Sequence, residues 1–424
     1  MSKLTRRDFL KGSAAAGAAL AGNALPGAAR LLAQDNPTVD YWHGFIAEFV
    51  HAGFEVVLEN FHQANPDITI NPLTVPNSEF MTKFTTSVVG NAAPDTTMAA
   101  PTRIPDMVAI GGLQDISGRV GESNLMDTIP ADRWDGATID GAIYGVPSFM
   151  FVDWMYYRAD WFEEAGLDPP TTWEAFTEAA IAMTDADKGR YGFGMRGGNG
   201  GQGFVVKVIE SFGSPIIDDM GQPAMDFDKA VEALRWYTDL HTVHGAVPPS
   251  VANDSFRQLM EAFQTGQTAM LWHHTGSLAE MRTVLGDEGA FSTAVRPHGP
   301  AKQIASATPS YNGISMPGDG EEDASWEWIS YWADINTQVD FLELTGYFPS
   351  SALVAEDERV QSNPLYAAAV ATVDEVGPPT RFPGGPGWER NVVLPNFQRV
   401  LLGEITAEDA IELMMEGLEE AISG

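Results

Sequence analysis

The chain has 424 residues, of which 58 are acidic and 24 are basic, and it contains no cysteine. This length and an apolar content of 44% favour two globular units over a small domain or a disordered chain. The formal charge of −34 disfavours nucleic acids and anionic membranes as partners, and the lack of cysteine excludes disulfides, thiol nucleophiles and cysteine-ligated metals.

Residues 1–33 have the features of an export leader rather than of a folded element. The segment Thr5–Lys11 (TRRDFLK) resembles a twin-arginine signal, and a run of small apolar residues follows from Gly12 to Ala24. We expect cleavage between residues 24 and 34, after Ala29 or Ala33. The mature chain then has 19 basic and 57 acidic residues, a formal charge of −38, and a predicted periplasmic location. Adaptation of the source organism to high salt is an alternative explanation for the large excess of acidic residues.

The first half of the mature chain alternates strand-like and helix-like segments, which is typical of an α/β fold with a mainly parallel sheet. Strands are predicted at 38–42 and 68–75, and Pro72 favours a sheet edge for the second one. An apolar stripe from Val50 to Phe61 predicts a helix that ends before Pro66. Further helices are predicted from an Asn77 cap to Gly90 and over 103–110, and a short strand after Pro94-Asp95.

The second half begins with a segment at 144–147, punctuated by glycine and proline, that predicts a crossing between units. An aromatic-rich strand is predicted at 149–158. Helices are predicted at 173–183, 226–243, 254–265, 321–339 and 406–422. Gly192–Gly203, with seven glycines in twelve residues, predicts a loop that is either a surface excursion or a close backbone approach to a ligand.

Signatures of catalysis are missing from the sequence. It contains no GxSxG elbow, no phosphate-cradling GxxxxGK[ST] and no HExxH, so we predict no catalytic residue and no cofactor. Gly192, Gly194 and Gly197 fit GxGxxG only as part of the glycine-rich stretch. His273 and His274 are neighbours on a predicted strand and should point to opposite faces, so a shared metal ion is not expected.

Six segments of the mature chain carry a family resemblance. They are residues 61–95, 140–176, Ala262–Gly276 (AFQTGQTAMLWHHTG), Ser310–Met316 (SYNGISM), Thr345–Ser350 (TGYFPS) and 394–414. In this order they resemble the family 1 extracellular solute-binding proteins, the carbohydrate-binding subunits of ABC importers that are related to maltose-binding protein. The most recognisable one is DGAIYGVPSF, which starts at Asp140 and is followed by MYYRADWFEEAGLDPPTTWEAF.

The resemblance implies the two-lobe α/β fold of periplasmic binding proteins, type II, in the cluster of larger sugar binders. It implies a hinge of about three crossings and a ligand held between the lobes at the strand ends. On this chain the first lobe would comprise 36–147 plus 300–340. The second lobe would comprise 148–299 plus 341–424.

Sugar sites need aromatic plates for the CH faces and planar or charged groups for paired hydroxyls. The ligand contacts predicted on these grounds are Trp42, His43, Glu79, Arg103, Phe151, Asp153, Asn199, Gln202, Trp272, His273, His274, Tyr311, Asn312, Arg381 and Trp388. Each has an ordinary alternative, such as a core position for Trp42, a surface ion pair for Arg103 or a helix-dipole contact for Glu79. The family's usual stacking tryptophan falls here on Gly276.

The resemblance implies a monomeric receptor, not an enzyme, that delivers a mono- or oligosaccharide, a polyol or a glycoside to the permease of an ABC importer. An exported glycan-active enzyme is the alternative, with Glu79 and Asp153 as the carboxylate pair. A binding protein for a solute other than a sugar is a further alternative. Polyamines require an acidic pocket, phosphate esters a cationic one, and ferric ion a tyrosine pair, although adjacent Tyr156 and Tyr157 should diverge on a strand.

Overall fold

A computed structural model describes residues 36–286, 289–316 and 321–423. The predicted leader lies outside these residues. The strands are β1 (Thr38–His43), β2 (Thr69–Thr74), β3 (Thr96–Ala99), β4 (Thr138–Ile139), β5 (Ala142–Ile143), β6 (Val146–Tyr157), β7 (Tyr191–Gly194), β8 (Thr268–His274), β9 (Ser292–Ala294), β10 (Ala307–Ile314) and β11 (Phe348–Pro349).

The helices of the described residues surround these strands. They are α1 (Glu48–Ala64), α2 (Phe80–Val89), α3 (Ile104–Ala109), α4 (Ser117–Glu122), α5 (Leu125–Thr128), α6 (Ala159–Ala165), α7 (Trp173–Ala182), α8 (Gln202–Ser211), α9 (Phe227–Thr242), α10 (Phe256–Gln264), α11 (Leu278–Leu285), α12 (Glu322–Tyr331), α13 (Ile335–Thr345), α14 (Glu358–Gln361), α15 (Ala367–Glu375), α16 (Gly385–Trp388), α17 (Leu394–Leu401) and α18 (Ala407–Ser423). A π-helical segment, Glu389–Val393, joins α16 to α17.

The main sheet has the strand order β2-β1-β3-β10-β6-β8-β7. β1, β2 and β3 are parallel to one another, as are β7 and β8. β10 and β6 run antiparallel to their neighbours, so the sheet is mixed rather than mainly parallel as expected. We call the part around β1–β3 the first lobe and the part around β7 and β8 the second lobe.

Both lobes have hydrophobic cores built from the predicted helical stripes. On α1, Val50, Phe54, Val57 and Phe61 are buried against the first-lobe sheet, as their spacing predicts. The second-lobe core contains the buried face of α18, including Ile411 and Met414. The Thr172 side chain caps α7 by accepting a hydrogen bond from the Ala175 N–H, which confirms that predicted start.

Three local predictions are wrong. The second helix starts at Phe80 rather than at an Asn77 cap, because the Asn77 side-chain oxygen accepts from Arg103 instead. The predicted helix over 321–339 is two helices, because Asp334 caps α13 and interrupts the first one. Part of the glycine-rich stretch is strand β7, where a β-carbon on Gly192 would lie 1.9 Å from the Ala180 carbonyl oxygen.

Strand β6 is the longest strand of the described residues and contributes to three cores. On one face, Phe149 belongs to the first-lobe core and Met155 to the second-lobe core. Phe151 and Asp153 lie on the same face between these two positions. The opposite face of β6 packs in a third core that contains Met150, Val152, Trp154 and Tyr156. Tyr157 packs instead against the second-lobe core, so the two adjacent tyrosines diverge as predicted.

Candidate functional site

The carboxyl ends of the parallel strands in the two lobes point toward each other. β1 ends at His43 and β8 ends at His274. β10 pairs Tyr311 with Ala99 and then continues beyond the end of β3 beside the first part of β6. β6 next pairs Asp153 with His274 at the end of β8. The stretch Phe149–Asp153 therefore lies between the two sets of strand ends, where open α/β sheets bind ligands.

Three partly exposed rings form the floor of this region. The ring of Phe151 lies 5.1 Å from that of His274 and 4.9 Å from that of Tyr347, in edge contacts with both. Tyr347 also contacts Phe149 at 4.9 Å and Phe45 at 6.5 Å, which connects the floor to the loop after β1. Burial raises the pKa of the Tyr347 phenol to about 12, so it is a neutral donor.

Tyr347 occupies space that Gly276 leaves free. A β-carbon on Gly276 would lie 2.4 Å from Tyr347 Cε1, closer than any side chain allows. Position 276 is where the family resemblance places a stacking tryptophan. In this chain an aromatic ring still occupies the region, but it comes from the segment before β11.

Asp153 is the centre of a buried ion network. Its carboxylate accepts from Lys207 Nζ at 2.5 Å, from Arg296 Nη2 at 3.1 Å and from the Ser306 N–H and hydroxyl at 3.0 and 2.9 Å. Burial opposes ionisation, but the two adjacent cations outweigh it and lower the pKa of Asp153 to about 2. The acceptor positions of this carboxylate are thus used by the protein, and its effect on a ligand is to hold Lys207 in place.

Two cations of the second lobe lie beside these groups. Lys207 projects from α8, and 18% of its side chain is exposed. Arg196 follows β7, donates from Nε to the Asn199 carbonyl at 2.7 Å and is half-buried. Glu389 is close to Lys207, and burial raises the pKa of its carboxyl group.

The first lobe contributes a second pair of cationic side chains, Lys83 and Arg103. Lys83 lies over the ring of Trp42 at 4.7 Å, and the Arg103 guanidinium lies over the ring of Phe80 at 4.8 Å. Arg103 also donates to the Asn77 backbone and side-chain oxygens at 3.0 and 3.2 Å. Trp42 is only 8% exposed, so its indole mainly holds Lys83 in position.

Arg381 lies beside the end of β3. A β-carbon on Gly136 would be 2.5 Å from the Tyr311 hydroxyl, 2.8 Å from Pro101 Cβ and 3.1 Å from Arg381 Nη1, so these groups are close neighbours. The Tyr311 hydroxyl donates to the Arg133 carbonyl at 2.8 Å. The adjacent Thr380 donates to Glu210 on α8, so this segment contacts both lobes.

Several predicted site residues lie inside the cores. Trp272 packs between Phe193 and Tyr237, and Trp388 donates its indole N–H to the Met414 carbonyl at 2.8 Å. Asn312 accepts from the buried Tyr41 hydroxyl at 2.9 Å. His43 stacks on Tyr41 in the first-lobe core, where burial and then nearby His51 lower its pKa to about 4. These four side chains are therefore buried in the cores rather than exposed between the strand ends.

The remaining predictions have mixed positions. His273 is buried with Nδ1 2.7 Å from the Ser277 hydroxyl, and its ring is 4.5 Å from that of His274. The expectation that these rings diverge is therefore wrong, because β8 ends there and the backbone turns into Thr275–Ser277. Glu79 and Asn199 are exposed, and Gln202 accepts from the Gly200 N–H at 3.0 Å.

Sequence reasoning missed Tyr347, Lys207, Arg196 and Arg296. The signal for Lys207 is its position as the one cation in the apolar run FVVKVI at the start of α8. Within the described ranges no set of three His, Asp or Glu side chains is arranged to hold a metal ion. A search of the helices in the same residues finds none with the length and apolarity to cross a bilayer.

Comparisons with known proteins agree with this architecture. A protein of Brucella abortus described as a binding protein is 23% identical over 362 residues, covering 83% of this chain and 85% of its own. The mannitol-binding protein of Pseudomonas aeruginosa is 26% identical over 216 residues, covering 50% and 49% of the two chains. An ABC substrate-binding protein of Listeria monocytogenes in complex with cycloalternan has a TM-score of 0.79 at 19% identity, covering 92% and 100%.

A solute-binding protein of Thermotoga lettingae with bound α-D-tagatose has a TM-score of 0.78 at 22% identity, covering 91% and 100%. These likenesses confirm the two-lobe fold. The twin-arginine signal profile matches residues 3–22 and confirms the predicted export signal. The profile of the bacterial extracellular solute-binding proteins matches residues 47–338. Because that match covers most of the chain, this exported protein belongs to the bacterial extracellular solute-binding proteins, a family of binding proteins of ABC transporters rather than of enzymes.

Proposed function

We propose that this chain is a periplasmic receptor that captures a saccharide or polyol between its lobes and delivers it to the permease of an ABC importer. The observation that carries the proposal is the surface formed by Phe151, His274 and Tyr347. It lies between the facing strand ends and combines CH-stacking rings with polar edges. Relatives and structural neighbours that bind mannitol, tagatose and cycloalternan support this ligand class.

The proposed contacts are the side chains that stay accessible between the lobes. In the centre they are the three rings of Phe151, His274 and Tyr347, together with the second-lobe cations Lys207 and Arg196. Around this centre they are Arg103, Glu79, Asn199, Gln202 and Arg381. Burial lowers the pKa of His274 to about 4, so its ring is neutral at pH 7 and offers one donor and one acceptor to hydroxyl groups.

We infer that the lobes are 36–147 with 300–340 and 148–299 with 341–424, joined by three crossings. β6, β10 and the connection from α13 to β11 are the candidate crossings, and β11 pairs with β6 at Phe149 and Met150. The segment 376–384 lies against both lobes, because Thr380 contacts α8 and Arg381 lies beside Gly136. Closure of the lobes around the ligand would create the form that docks on the permease.

In this proposal the protein binds its ligand noncovalently and releases it chemically unchanged. Retaining hydrolysis of a glycoside needs one carboxylic acid to protonate and one free carboxylate to attack. Asp153 is fully engaged by Lys207, Arg296 and Ser306, and the exposed Glu79 belongs to the opposite edge. This pair therefore does not support the enzymatic alternative.

Calorimetry of the mature protein tests the proposal with D-mannitol, ribitol, D-tagatose and maltose, each with its aldonic or uronic acid and its phosphate. At least one compound should bind and be recovered unchanged. Phe151→Ala should weaken its binding at least about tenfold through loss of the stacking surface. Phe227→Ala, at a half-buried position at the start of α9, is the matched control and should bind normally. Lack of binding across the panel, or chemical conversion of the ligand, contradicts the proposal.

A further inference from the structure

Two of the three nitrogen atoms of the Arg381 guanidinium are buried donors without a partner. Among the described residues Arg381 makes no ion pair, and its Nε and Nη2 atoms are inaccessible to solvent and donate to no acceptor, although the side chain as a whole is partly exposed. A buried charge without a counter-charge is costly, and burial lowers the pKa of this group. A residue that serves the fold alone would be expected to find a carboxylate, since acids outnumber bases by more than two to one.

The same pair of atoms binds carboxylates elsewhere in the molecule. Arg158 donates from Nε and Nη2 to the two oxygens of Asp160 at 2.9 and 2.5 Å. Arg359 does the same with Asp357 at 3.2 and 3.1 Å. This paired geometry matches the two oxygens of a carboxylate or phosphate. Arg381 presents the same fork with both donors unused.

Unpaired cations also concentrate at the candidate site. Six described basic side chains have no carboxylate partner, namely Lys83, Arg103, Arg190, Arg196, Arg381 and Arg390. Four of them, all except Arg190 and Arg390, lie at the strand ends that face each other. In so acidic a protein, this distribution gives the site a local charge opposite to that of the whole molecule.

We propose that the ligand is a polyhydroxylated compound that carries one anionic group, a carboxylate or a phosphate, and that the Nε and Nη2 atoms of Arg381 receive this group once movement of the lobes has opened them to the ligand. The inference rests on the proposed function and narrows its ligand class. The hydroxyl groups would be held by the surface of Phe151, His274 and Tyr347. The anion would offset the cost of burying the Arg381 charge, so recognition would be specific for the charged form.

The test uses compounds that share one carbon chain. D-mannitol, D-mannonate and D-mannitol 1-phosphate form one set, and ribitol, D-ribonate and D-ribitol 5-phosphate form another. Calorimetry should show at least about tenfold tighter binding of an acidic member than of its neutral partner. The acidic compound with the higher affinity shows whether the site prefers a carboxylate or a phosphate. Arg381→Gln should weaken binding of the acidic member at least about tenfold more than binding of its neutral partner, which abolishes the preference.

Arg390→Gln is the matched control, since it removes an exposed, unpaired arginine of the same charge nine residues away. It should keep the preference for the acidic compound. Circular dichroism melting of each variant reports whether it is folded. Neutral compounds that bind as well as acidic ones overturn the inference and leave the proposed function intact. An equal loss for both classes in Arg381→Gln also overturns it, whereas no binding by any compound overturns the proposed function itself.

Discussion

The ammonium of Lys207 lies 2.5 Å from the carboxylate of Asp153, and this contact is part of the fold rather than of ligand binding. The same carboxylate also neutralises Arg296, whose side chain is fully buried. The pair therefore links helix α8, strand β6 and the segment before β10 directly beneath the candidate site. Its strength should appear in the stability of the protein.

Asp153→Asn should lower the free energy of unfolding by about 3–5 kcal/mol, because it leaves the buried Arg296 without a counter-charge. Urea denaturation measures this change. Asp226→Asn, which affects the exposed pair with Lys229 at 4.0 Å, is the control and should cost less than about 1–2 kcal/mol, including its helix cap. Equal losses in the two variants would show that the buried network has no special role.

Gly276→Ala should displace the Tyr347 ring, because the new β-carbon would overlap it. We expect a loss of about 1–3 kcal/mol in stability and at least a tenfold loss in ligand affinity. Gly118→Ala, on α4 with open space around its Cα, is the matched substitution and should leave affinity unchanged. If calorimetry shows normal binding by Gly276→Ala, Tyr347 is not part of the site.

His274 should make the protein less stable as the pH falls. Its pKa is lowered from 6.5 to about 4 by burial, with Arg296, Arg196 and Lys207 opposing Asp153. The unfolded chain therefore binds a proton that the folded protein does not, and stability is lost as the pH falls from 6.5 toward 4. This histidine should contribute a loss of about 1–2 kcal/mol between pH 7 and pH 5.

Urea denaturation at the two pH values, compared between the natural protein and His274→Gln, isolates this contribution from the other titrating groups. The variant should lose less stability on acidification. His244→Gln, at an exposed position in the turn that follows α9, should behave as the natural protein does. An unchanged pH dependence in His274→Gln would refute the assignment.

Arg381→Met should stabilise the protein without ligand, because it removes a buried charge that has no partner. A gain of about 1 kcal/mol in the free energy of unfolding is expected. Arg359→Met provides the contrast, since it breaks two contacts with Asp357 and one with Asp340 and should destabilise. A destabilised Arg381→Met would indicate that the guanidinium has a structural partner.

Much of the fold follows from apolar periodicity in the sequence. The stripes of α1 and α18 bury the residues that their spacing selects, and the predicted segment 144–147 overlaps the start of β6, with Gly145 just before the strand and Pro147 as its second residue. The sheet direction was harder to predict, because the pairing of β10 with β6 joins segments about 160 residues apart. The division into two lobes was predicted from the family resemblance and not from the periodicity of apolar residues.

The site was less predictable, because alternation along a strand does not reveal which face meets a core. Trp272 and His274 lie on the same face of β8, yet the core covers only Trp272. Trp388 is surrounded by turn-forming residues, but α16 starts at Gly385 and turns its indole toward α18. The partner of Asp153, Arg296, is 143 residues away in sequence, so no local pattern predicts it.

The central claim is that the solute binds between the two sets of strand ends. A crystal structure of the mature protein with the tightest binding compound of the calorimetry panel tests it most directly. The account predicts that the compound contacts Phe151, His274 and Tyr347, with an anionic group on the Arg381 fork. A compound bound elsewhere, for example in the surface groove of about 450 Å³ beside Trp326 and Tyr331, would contradict it.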